Sequence, residues 1–262
     1  MKLFLHQDAD SFLAAAGSFW ESRESENNLI LGLASEIRRG RYPDYLLITI
    51  GDPICGAALC TPPHKLILTR MDPQAREALS AHSLPVPGVV GPTETATDFA
   101  ARKGGYRVKM SQWIYECEHV RPPTWSPGRM CSVSDESLVY RWRREFSKET
   151  GIEENEERAR ARSREMLEDR RVWVWEDGEP VAIAAAVAPT PHGVRVGMVY
   201  TPPRLRRRGY ASSLVAALTQ RELDSGRRFC FLYTDATNAT SNGIYQKLGY
   251  RKVCESCELE FV

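Results

Sequence analysis

Residues 197–218 place the strongest constraint on the fold of this chain. A short apolar strand at 198–200 stops at Thr201-Pro202-Pro203, and an arginine-rich loop then opens a helix at Gly209-Tyr210-Ala211. A helix N-terminus presents free backbone N–H groups and the positive end of the helix dipole. A glycine there lets the backbone approach a large anion closely. The segment predicts a strand–loop–helix unit that binds a phosphate, and we interpret it as a pyrophosphate site.

Two familiar phosphate-binding motifs do not fit this loop. A P-loop has Lys-Ser or Lys-Thr after its last glycine, whereas Tyr210 follows Gly209. A Rossmann loop needs a second glycine at fixed spacing and an acidic residue in the ribose position after the next strand, and neither is present at the required place. A nucleotide-binding α/β enzyme of another kind stays open as an alternative at this point.

Composition narrows the class of protein. A chain of 262 residues with 42% hydrophobic and 26% charged residues is typical of a globular protein with one large or two ordinary domains. The net charge of +1 gives no reason to expect nucleic acid or a membrane as a partner. The N-terminal residues do not resemble a signal peptide, and the longest apolar run, A-I-A-A-A-V-A, stops at Pro189. We therefore expect a cytoplasmic protein.

The seven cysteines are predicted to be reduced and structural. Their number is odd, and their spacing does not resemble a disulfide framework. Cys254-x-x-Cys257 has a spacing that zinc sites use, but no second Cys or His pair lies near it. We predict no metal site, and we expect Cys230 to be a core residue and not a nucleophile.

An internal repeat divides the chain into two halves. The segment L-L-I-T-I-G-D-P-I-C-G-A-A-L-C-T-P-P-H is similar to V-W-V-W-E-D-G-E-P-V-A-I-A-A-A-V-A-P-T-P-H, which begins about 127 residues later. Such a repeat indicates that both halves share one fold. The cluster R-P-P-T-W-S-P-G marks a boundary, so we expect domains at 1–123 and 128–262. The first half has no counterpart of the arginine-rich loop.

Several local predictions depend on hydrophobic spacing alone. They are a helix over 3–17, a Pro/Gly-rich segment P-V-P-G-V-V-G-P that leads into a helix over 94–103, a charged helix over 153–171, and two separate strands at the C-terminus. The runs 194–200 and 229–234 are predicted to be central strands.

A second motif follows the strand at 229–234 and reads Asn238-x-x-Ser241-x-x-x-Tyr245-x-x-x-Gly249-Tyr250. Together with Arg206-x-x-Gly209-x-Ala211, it resembles the GNAT superfamily of CoA-dependent N-acyltransferases over residues 128–262. The resemblance implies an α/β (α+β) fold of tandem GNAT-like domains, with a central mixed sheet flanked by helices in each half. The first half would be a degenerate copy without the CoA loop. Glycine N-acyltransferases have a similar two-domain layout.

The resemblance also implies how acyl-CoA is held between two splayed strands. The backbone of Met198, Val199 and Tyr200 would bind the pantetheine arm and the thioester carbonyl, with N–H groups as oxyanion donors. The pyrophosphate would bind to the loop made of Arg206, Arg207, Arg208, Gly209, Tyr210 and Ala211. Asn238 would bond the pantetheine amides; its alternative role is a turn or cap residue.

Tyr245 is placed by the resemblance as the general acid for the departing thiolate, and packing beside Ile244 and Leu248 is the alternative. Asp235, just beyond the strand end, is the leading candidate for a base that accepts the proton of the amine. Its alternative role is to cap the turn at 237–241. Deprotonation at pH 7 costs about 1 kcal/mol for an α-amine and about 4.6 kcal/mol for a lysine-like amine, so only the second strongly favours a base.

The resemblance implies transfer of an acetyl group from acetyl-CoA to a primary amine by direct attack on the thioester. The alternatives are an acyl-CoA sensor without turnover and a glycine-N-acyltransferase-like enzyme that uses a longer acyl-CoA. The acceptor would be a small amine or an amino acid, with a protein N-terminus also open. The oligomeric state is left open, with a homodimer among the alternatives.

Overall fold

The computed structural model describes residues 1–152 and 154–262. Over these residues the strands join into one mixed sheet of twelve strands. The strands are β1 (Leu3–His6), β2 (Leu46–Ile50), β3 (Gly56–Cys60), β4 (Leu66–Leu68), β5 (Gly88–Pro92), β6 (Tyr106–Cys117), β7 (Arg129–Ser132), β8 (Val172–Asp177), β9 (Glu179–Val187), β10 (Gly193–Tyr200), β11 (Phe229–Asp235) and β12 (Arg251–Phe261). The helices are α1 (Ala9–Ala15), α2 (Gly17–Glu21), α3 (Asn28–Arg38), α4 (Pro73–Ser80), α5 (Thr93–Lys103), α6 (Glu136–Thr150), α7 (Glu156–Glu168), α8 (Tyr210–Asp224) and α9 (Ala239–Lys247).

The order of the strands shows the repeat that the sequence predicts. The sheet runs β1-β2-β3-β4-β5-β12-β6-β11-β10-β9-β8-β7, so β1 to β6 and β7 to β12 follow equivalent paths from opposite edges. In each half the fourth and fifth strands are parallel, β4 with β5 and β10 with β11, and the other recorded pairs are antiparallel. The two similar sequence segments form the equivalent hairpins β2–β3 and β8–β9.

The two halves exchange their last strands. Strand β12 pairs with β5 of the first half, from Ser256 opposite Pro92 to Glu260 opposite Gly88. Strand β6 in turn pairs with β11 of the second half, and β6 and β12 pair with each other at the centre. Each half therefore completes the other's sheet, and the backbone hydrogen bonds of its central strands depend on both.

Helices cover both faces of the sheet in each half, which confirms the predicted fold class. In the second half, α8 packs on one face through Leu214 and Leu218, while Trp142 of α6 packs against Tyr200 on the other. In the first half, α4 and α5 share one core, and Phe12 of α1 with Ile30 of α3 builds the opposite one. Among the described residues, no helix combines the length and the apolar character needed to cross a membrane.

The predicted helix over 3–17 is wrong at its start. Residues Leu3–His6 form the edge strand β1, paired antiparallel with β2, and α1 begins only at Ala9 after the N-cap Asp8. Leu5 lies on this edge with 72% of its surface exposed. Leu3, Phe4 and Leu5 are consecutive apolar residues, so this short strand shows no alternation that would distinguish it from the start of a helix.

Part of the segment P-V-P-G-V-V-G-P, Gly88–Pro92, is a strand that the sequence did not predict. It forms β5, held between β4 and β12. A Cβ atom on Gly88 would lie 2.0 Å from the carbonyl oxygen of Leu259, and one on Gly91 would lie 2.7 Å from that of Leu68. The glycines are therefore required by close backbone approach within the sheet.

Two further predictions differ from the structure. The C-terminus is one long strand, β12, and not two strands, because it pairs along its length with β6 and two irregularities absorb the changes of register. The charged helix α7 is shorter than predicted and begins after the N-cap Asn155, whose side chain accepts the Arg158 N–H. Glu153, the predicted start of that helix, lies outside the described residues.

Candidate active site

The site begins where β10 and β11 separate. The two strands pair only from Gly193 to Arg195 and from Phe229 to Phe231. Beyond that point β10 carries a bulge between Gly197 and Tyr200, and Met198 adopts a left-handed φ of 51°. Within the described ladders, Met198 and Val199 have no pairing register on either side, so their backbone groups are available to a ligand.

The loop that joins β10 to α8 has the geometry of an anion site. Arg207 and Gly209 are both left-handed, with φ of 63° and 79°, and Gly209 is the N-cap of α8. No side chain caps this helix within the described chain, so its first N–H groups are not satisfied by a protein carboxylate. Leu205 is buried and anchors the loop, while the three arginines that follow it are exposed.

Arg206 connects this loop to α6. Its Nη2 atom lies 2.6 and 2.7 Å from the two carboxylate oxygens of Glu149, and its Nε donates to the carbonyl oxygen of Thr201 at 2.8 Å. The guanidinium also lies over the ring of Tyr200, 5.7 Å from the ring centre. Both Arg206 and Glu149 are well exposed, so this ion pair is weak and exchangeable.

Two tyrosines of the predicted donor site are held by carboxylates. The hydroxyl of Tyr200 donates to Glu145 at 2.9 Å, and burial together with this carboxylate raises the pKa of Tyr200 to about 12. The hydroxyl of Tyr210 donates to Asp177 at 2.6 Å, which raises its pKa. Both rings are nearly buried, so they fix the ends of the loop and remain neutral at physiological pH.

Tyr245 lies on α9 at the side of the cavity. It is partly buried and packs against the core beside Ile244, with its ring 5.9 Å from that of Tyr250. Burial raises the pKa of the Tyr245 phenol to about 12. The packing that was the alternative to the catalytic role is therefore present, and the hydroxyl is a proton donor over the whole physiological range.

Asp235 and Asn238 both make the local contacts that were their alternative roles. One carboxylate oxygen of Asp235 accepts from the Thr237 N–H at 2.8 Å and from the Thr237 hydroxyl at 2.7 Å. Asn238 is the N-cap of α9, and its side-chain oxygen accepts from the Ser241 N–H at 3.0 Å. These contacts use one oxygen of each side chain, which leaves the other side-chain oxygen of Asp235 and the amide nitrogen of Asn238 for a ligand.

A single cavity of about 610 Å³ brings the predicted residues together. That volume is typical of a site for a small ligand or cofactor. The predicted residues that line it are Met198, Val199, Tyr200, Arg206, Arg207, Arg208, Gly209, Tyr210, Ala211, Asp235, Asn238 and Tyr245. The two sequence motifs, which helix α8 separates in the chain, therefore line the same cavity.

Sequence reasoning missed the wall that α6 contributes. Phe146, Glu149 and Thr150 of α6 line the cavity. The sequence of α6 shows an amphipathic pattern, which many helices that pack on a core share, so it does not indicate a place at the site. Tyr233 of β11 also lines the cavity, and its hydroxyl accepts from the side chain of Asn28 in the first half at 3.4 Å.

The cysteines lie away from this cavity. Cys230 is fully buried in β11, and burial raises its pKa far above that of a free thiol. Cys254 and Cys257 are both buried in β12, also with raised pKa values. Side chains in this protonated state are poor nucleophiles and poor metal ligands.

One protein-family model matches part of the second half of the chain. Residues 176–259 match the family model described as FR47-like protein. This range includes β10, the arginine-rich loop, α8, β11 and α9. No curated protein shows significant sequence similarity to the chain.

Solved structures show the same fold over the whole chain. A GCN5-related N-acetyltransferase from Sphaerobacter thermophilus is 14% identical with a TM-score of 0.66, and the match covers 99% of this chain and 95% of that one. A GNAT-family acetyltransferase from Colwellia psychrerythraea is 13% identical with a TM-score of 0.62, and both chains are covered completely. A tandem GNAT protein of the clavulanic acid biosynthesis pathway is 11% identical with a TM-score of 0.53, with 98% and 97% of the two chains covered. The chain thus has the tandem GNAT fold, as its motifs predict, and its FR47-like segment holds the candidate site.

Proposed function

We propose that this protein is an acyl-CoA-dependent N-acyltransferase that transfers an acetyl group from acetyl-CoA to a primary amine. The observation that carries the proposal is the convergence of an uncapped helix N-terminus, a strand bulge and the partly buried Tyr245 on one cavity. The second half would be the catalytic domain, and the first half a degenerate copy. The contact of Asn28 with Tyr233 supports a role of the first half as part of the acceptor wall.

The residues present fit acetyl-CoA. The uncapped N-terminus of α8 and the left-handed backbone of Arg207 and Gly209 suit a pyrophosphate, which the adjacent arginines would neutralise. The backbone of Met198 and Val199, outside the recorded ladders, suits the amides of a pantetheine arm. When bound, acetyl-CoA supplies a thioester whose acyl carbon the acceptor amine attacks.

The protein's own residues would then perform three tasks. N–H groups of the bulge stabilise the oxyanion that forms on the acyl carbonyl. The neutral Tyr245 phenol donates its proton to the leaving sulfur, and Asp235 accepts a proton from the amine directly or through water. No covalent intermediate on the protein is needed, which agrees with the buried and protonated state of Cys230.

Binding and turnover test different parts of this proposal. Thermal unfolding with CoA, ATP and NAD should show stabilisation by CoA alone, because binding to the folded state raises its stability. Acetyl transfer to a panel of amines and amino acids should then be detectable, and Tyr245→Phe should lower kcat by roughly 100-fold with little change in the Kd of CoA. Stabilisation by ATP or NAD and not CoA would refute the donor assignment.

The competing function is a non-catalytic acyl-CoA sensor. It predicts CoA binding without transfer to any amine of the panel, and it predicts no kinetic role for Tyr245. A glycine-N-acyltransferase-like activity predicts faster turnover with longer acyl-CoA donors than with acetyl-CoA. Transfer assays with acetyl-CoA and longer acyl-CoA donors therefore separate the three functions.

A further inference from the structure

We propose that the linker between the two halves, residues 118–128, supports the donor site from behind the anion loop and that its Ser126 directs the Gly209 N–H into the cavity. The inference rests on the proposed function and adds a residue that the motifs of the sequence do not contain. Ser126 would be a positioning residue, because it acts on the loop backbone and not on the ligand. The sequence alone identified this segment only as a domain boundary.

The first part of the linker packs on the end of helix α9. The Arg121 N–H donates to the carbonyl oxygen of Leu248 at 2.9 Å. A Cβ atom on Gly249 would lie 2.5 Å from the carbonyl oxygen of His119. The linker therefore contacts the helix that carries Tyr245, directly after its last turn.

The far end of the linker is fixed on strand β8. The Trp175 indole N–H donates to the carbonyl oxygen of Pro127 at 2.8 Å, and the Trp125 ring stacks on that of Trp175 with the centres 6.2 Å apart. Gly128 has a φ of 107°, and a Cβ there would lie 2.2 Å from the carbonyl oxygen of Glu176. These contacts fix the backbone on the C-terminal side of Ser126.

Ser126 itself contacts both the anion loop and helix α8. Its hydroxyl donates to the carbonyl oxygen of Arg208 at 2.7 Å. Its backbone N–H donates to the hydroxyl of Ser213, which is buried in α8, at 2.9 Å. A Cβ on Gly209 would lie 2.7 Å from the Ser126 hydroxyl oxygen, so the loop and the linker are in close contact.

The bond to Arg208 controls the direction of the next N–H. In a trans peptide the carbonyl oxygen and the following N–H point in opposite directions. Because the Arg208 carbonyl is held toward the linker, the Gly209 N–H points away from the linker, and Gly209 itself lines the cavity. Without the bond, this peptide would be free to rotate, since Gly209 accepts many backbone conformations.

The test compares acetyl-CoA with a ligand that lacks its pyrophosphate and the adenosine 3′-phosphate attached to it. The Kd values of acetyl-CoA and of S-acetylpantetheine, which has no pyrophosphate, are measured by titration calorimetry on the full chain. Ser126→Ala should raise the Kd of acetyl-CoA roughly 5- to 10-fold, the effect of one lost hydrogen bond. The Kd of S-acetylpantetheine should not change. Thr124→Ala, which removes a hydroxyl from an exposed residue of the same linker, should change neither value.

A second pair of variants keeps the test valid if Ser126→Ala is unstable. Ser126→Thr and Ser126→Val have the same shape and differ in the hydroxyl, so the threonine variant should bind acetyl-CoA roughly 5-fold more tightly. Equal binding by this pair, or equal weakening of both ligands by Ser126→Ala, would overturn the role of Ser126. A wild-type protein that binds neither ligand would instead refute the proposed function.

Discussion

Helices α4 and α8 occupy equivalent places in the two halves, each following the fourth strand of its half, and yet their N-termini differ in kind. In α4, the side chain of Asp72 accepts from the Ala75 N–H at 2.7 Å, and Pro73 takes the first helical position. In α8, the N-cap is Gly209 and no side chain closes the end within the described chain. The first helix satisfies its own N-terminus with a carboxylate, whereas the second leaves it to a ligand.

The strands before these helices differ in the same sense. β4 has three buried residues in regular pairing, and β10 has a bulge with a left-handed Met198. The connection from β4 to α4 is Thr69–Asp72 without an arginine-rich insertion, and the sequence of α5, unlike that of α9, contains no tyrosine. The comparison shows that one fold becomes a binding site through a few local changes, namely a bulge, a longer loop and an unfilled cap.

The largest expected effect comes from giving α8 the acidic cap of α4. Gly209→Asp should raise the Kd of acetyl-CoA at least roughly 100-fold, because its carboxylate would take the place of the pyrophosphate and repel it. Binding is measured by titration calorimetry.

Gly209→Asn is the matched control for this substitution. It has nearly the same shape, meets the same Ser126 hydroxyl and tolerates the left-handed φ of 79°. It should therefore bind acetyl-CoA clearly more tightly than Gly209→Asp. Equal binding by the two variants would show that backbone strain, and not charge, explains the loss.

The second prediction concerns the pH dependence of transfer. The pKa of Tyr245 is raised to about 12, so its phenol keeps its proton to a higher pH than a free tyrosine does. With a lysine-like acceptor, kcat/KM should rise roughly 10-fold per pH unit as the amine loses its proton, up to about pH 10. Loss of the Tyr245 proton should not reduce the rate in this range.

The measurement is the pH–rate profile between pH 6 and 10 for the wild-type protein and for Tyr245→Phe. Both profiles should rise in parallel, with that of the variant lower throughout. A wild-type rate that falls between pH 8 and 10 while the variant's does not would show that the phenol ionises there, which would contradict the raised pKa of Tyr245.

The third prediction tests whether the closed N-terminus of α4 is only structural. Asp72→Ala should destabilise the protein by about 1 kcal/mol, since it removes an N-cap hydrogen bond. The midpoint of thermal unfolding should fall by roughly 2–4 °C, and the Kd of acetyl-CoA should stay the same. Asp72→Ser, which keeps a capping oxygen, is the control and should retain most of the stability. A changed Kd would mean that the first half takes part in CoA binding.

The sequence predicted those features of the site that depend on local chemistry. A glycine after an arginine-rich loop, followed by a helix, has few structural outcomes, and the loop around Gly209 adopts the expected one. The internal similarity of two hairpins was enough to predict two halves of one fold. The convergence of Arg206, Asn238 and Tyr245 on one cavity followed from their motif spacing in the resemblance and not from any single residue.

What the sequence did not reveal depends on contacts between distant residues. The exchange of β6 and β12 has no local signal, because a strand's side-chain pattern reports its faces and not its neighbours. Strand β5 could not be recognised because it contains Gly88 and Gly91. Glycine is typical of turns, but it is also required where strands approach closely, as they do here. Glu149 looked like one more charge on an amphipathic helix until the fold placed it beside Arg206.

The smallest expected effect separates the two kinds of carboxylate at these helix ends. Asp72 is the N-cap residue of α4, so its carboxylate is fixed beside the N–H group that it caps. Glu149 lies on α6 and contacts Arg206 only through an exposed ion pair. An exposed ion pair contributes at most about 1 kcal/mol, and removing it frees Arg206 for the pyrophosphate. Glu149→Gln should therefore lower the Kd of acetyl-CoA roughly 2- to 5-fold at low salt and less at high salt.

The control is Glu136→Gln, a substitution on the same helix α6 that breaks an exposed pair with Arg164 of α7. It should have no effect on the Kd. If Glu149→Gln instead raises the Kd, then Glu149 positions Arg206 for the donor and does not compete with it, and the open end of α8 would share with α4 a dependence on a protein carboxylate.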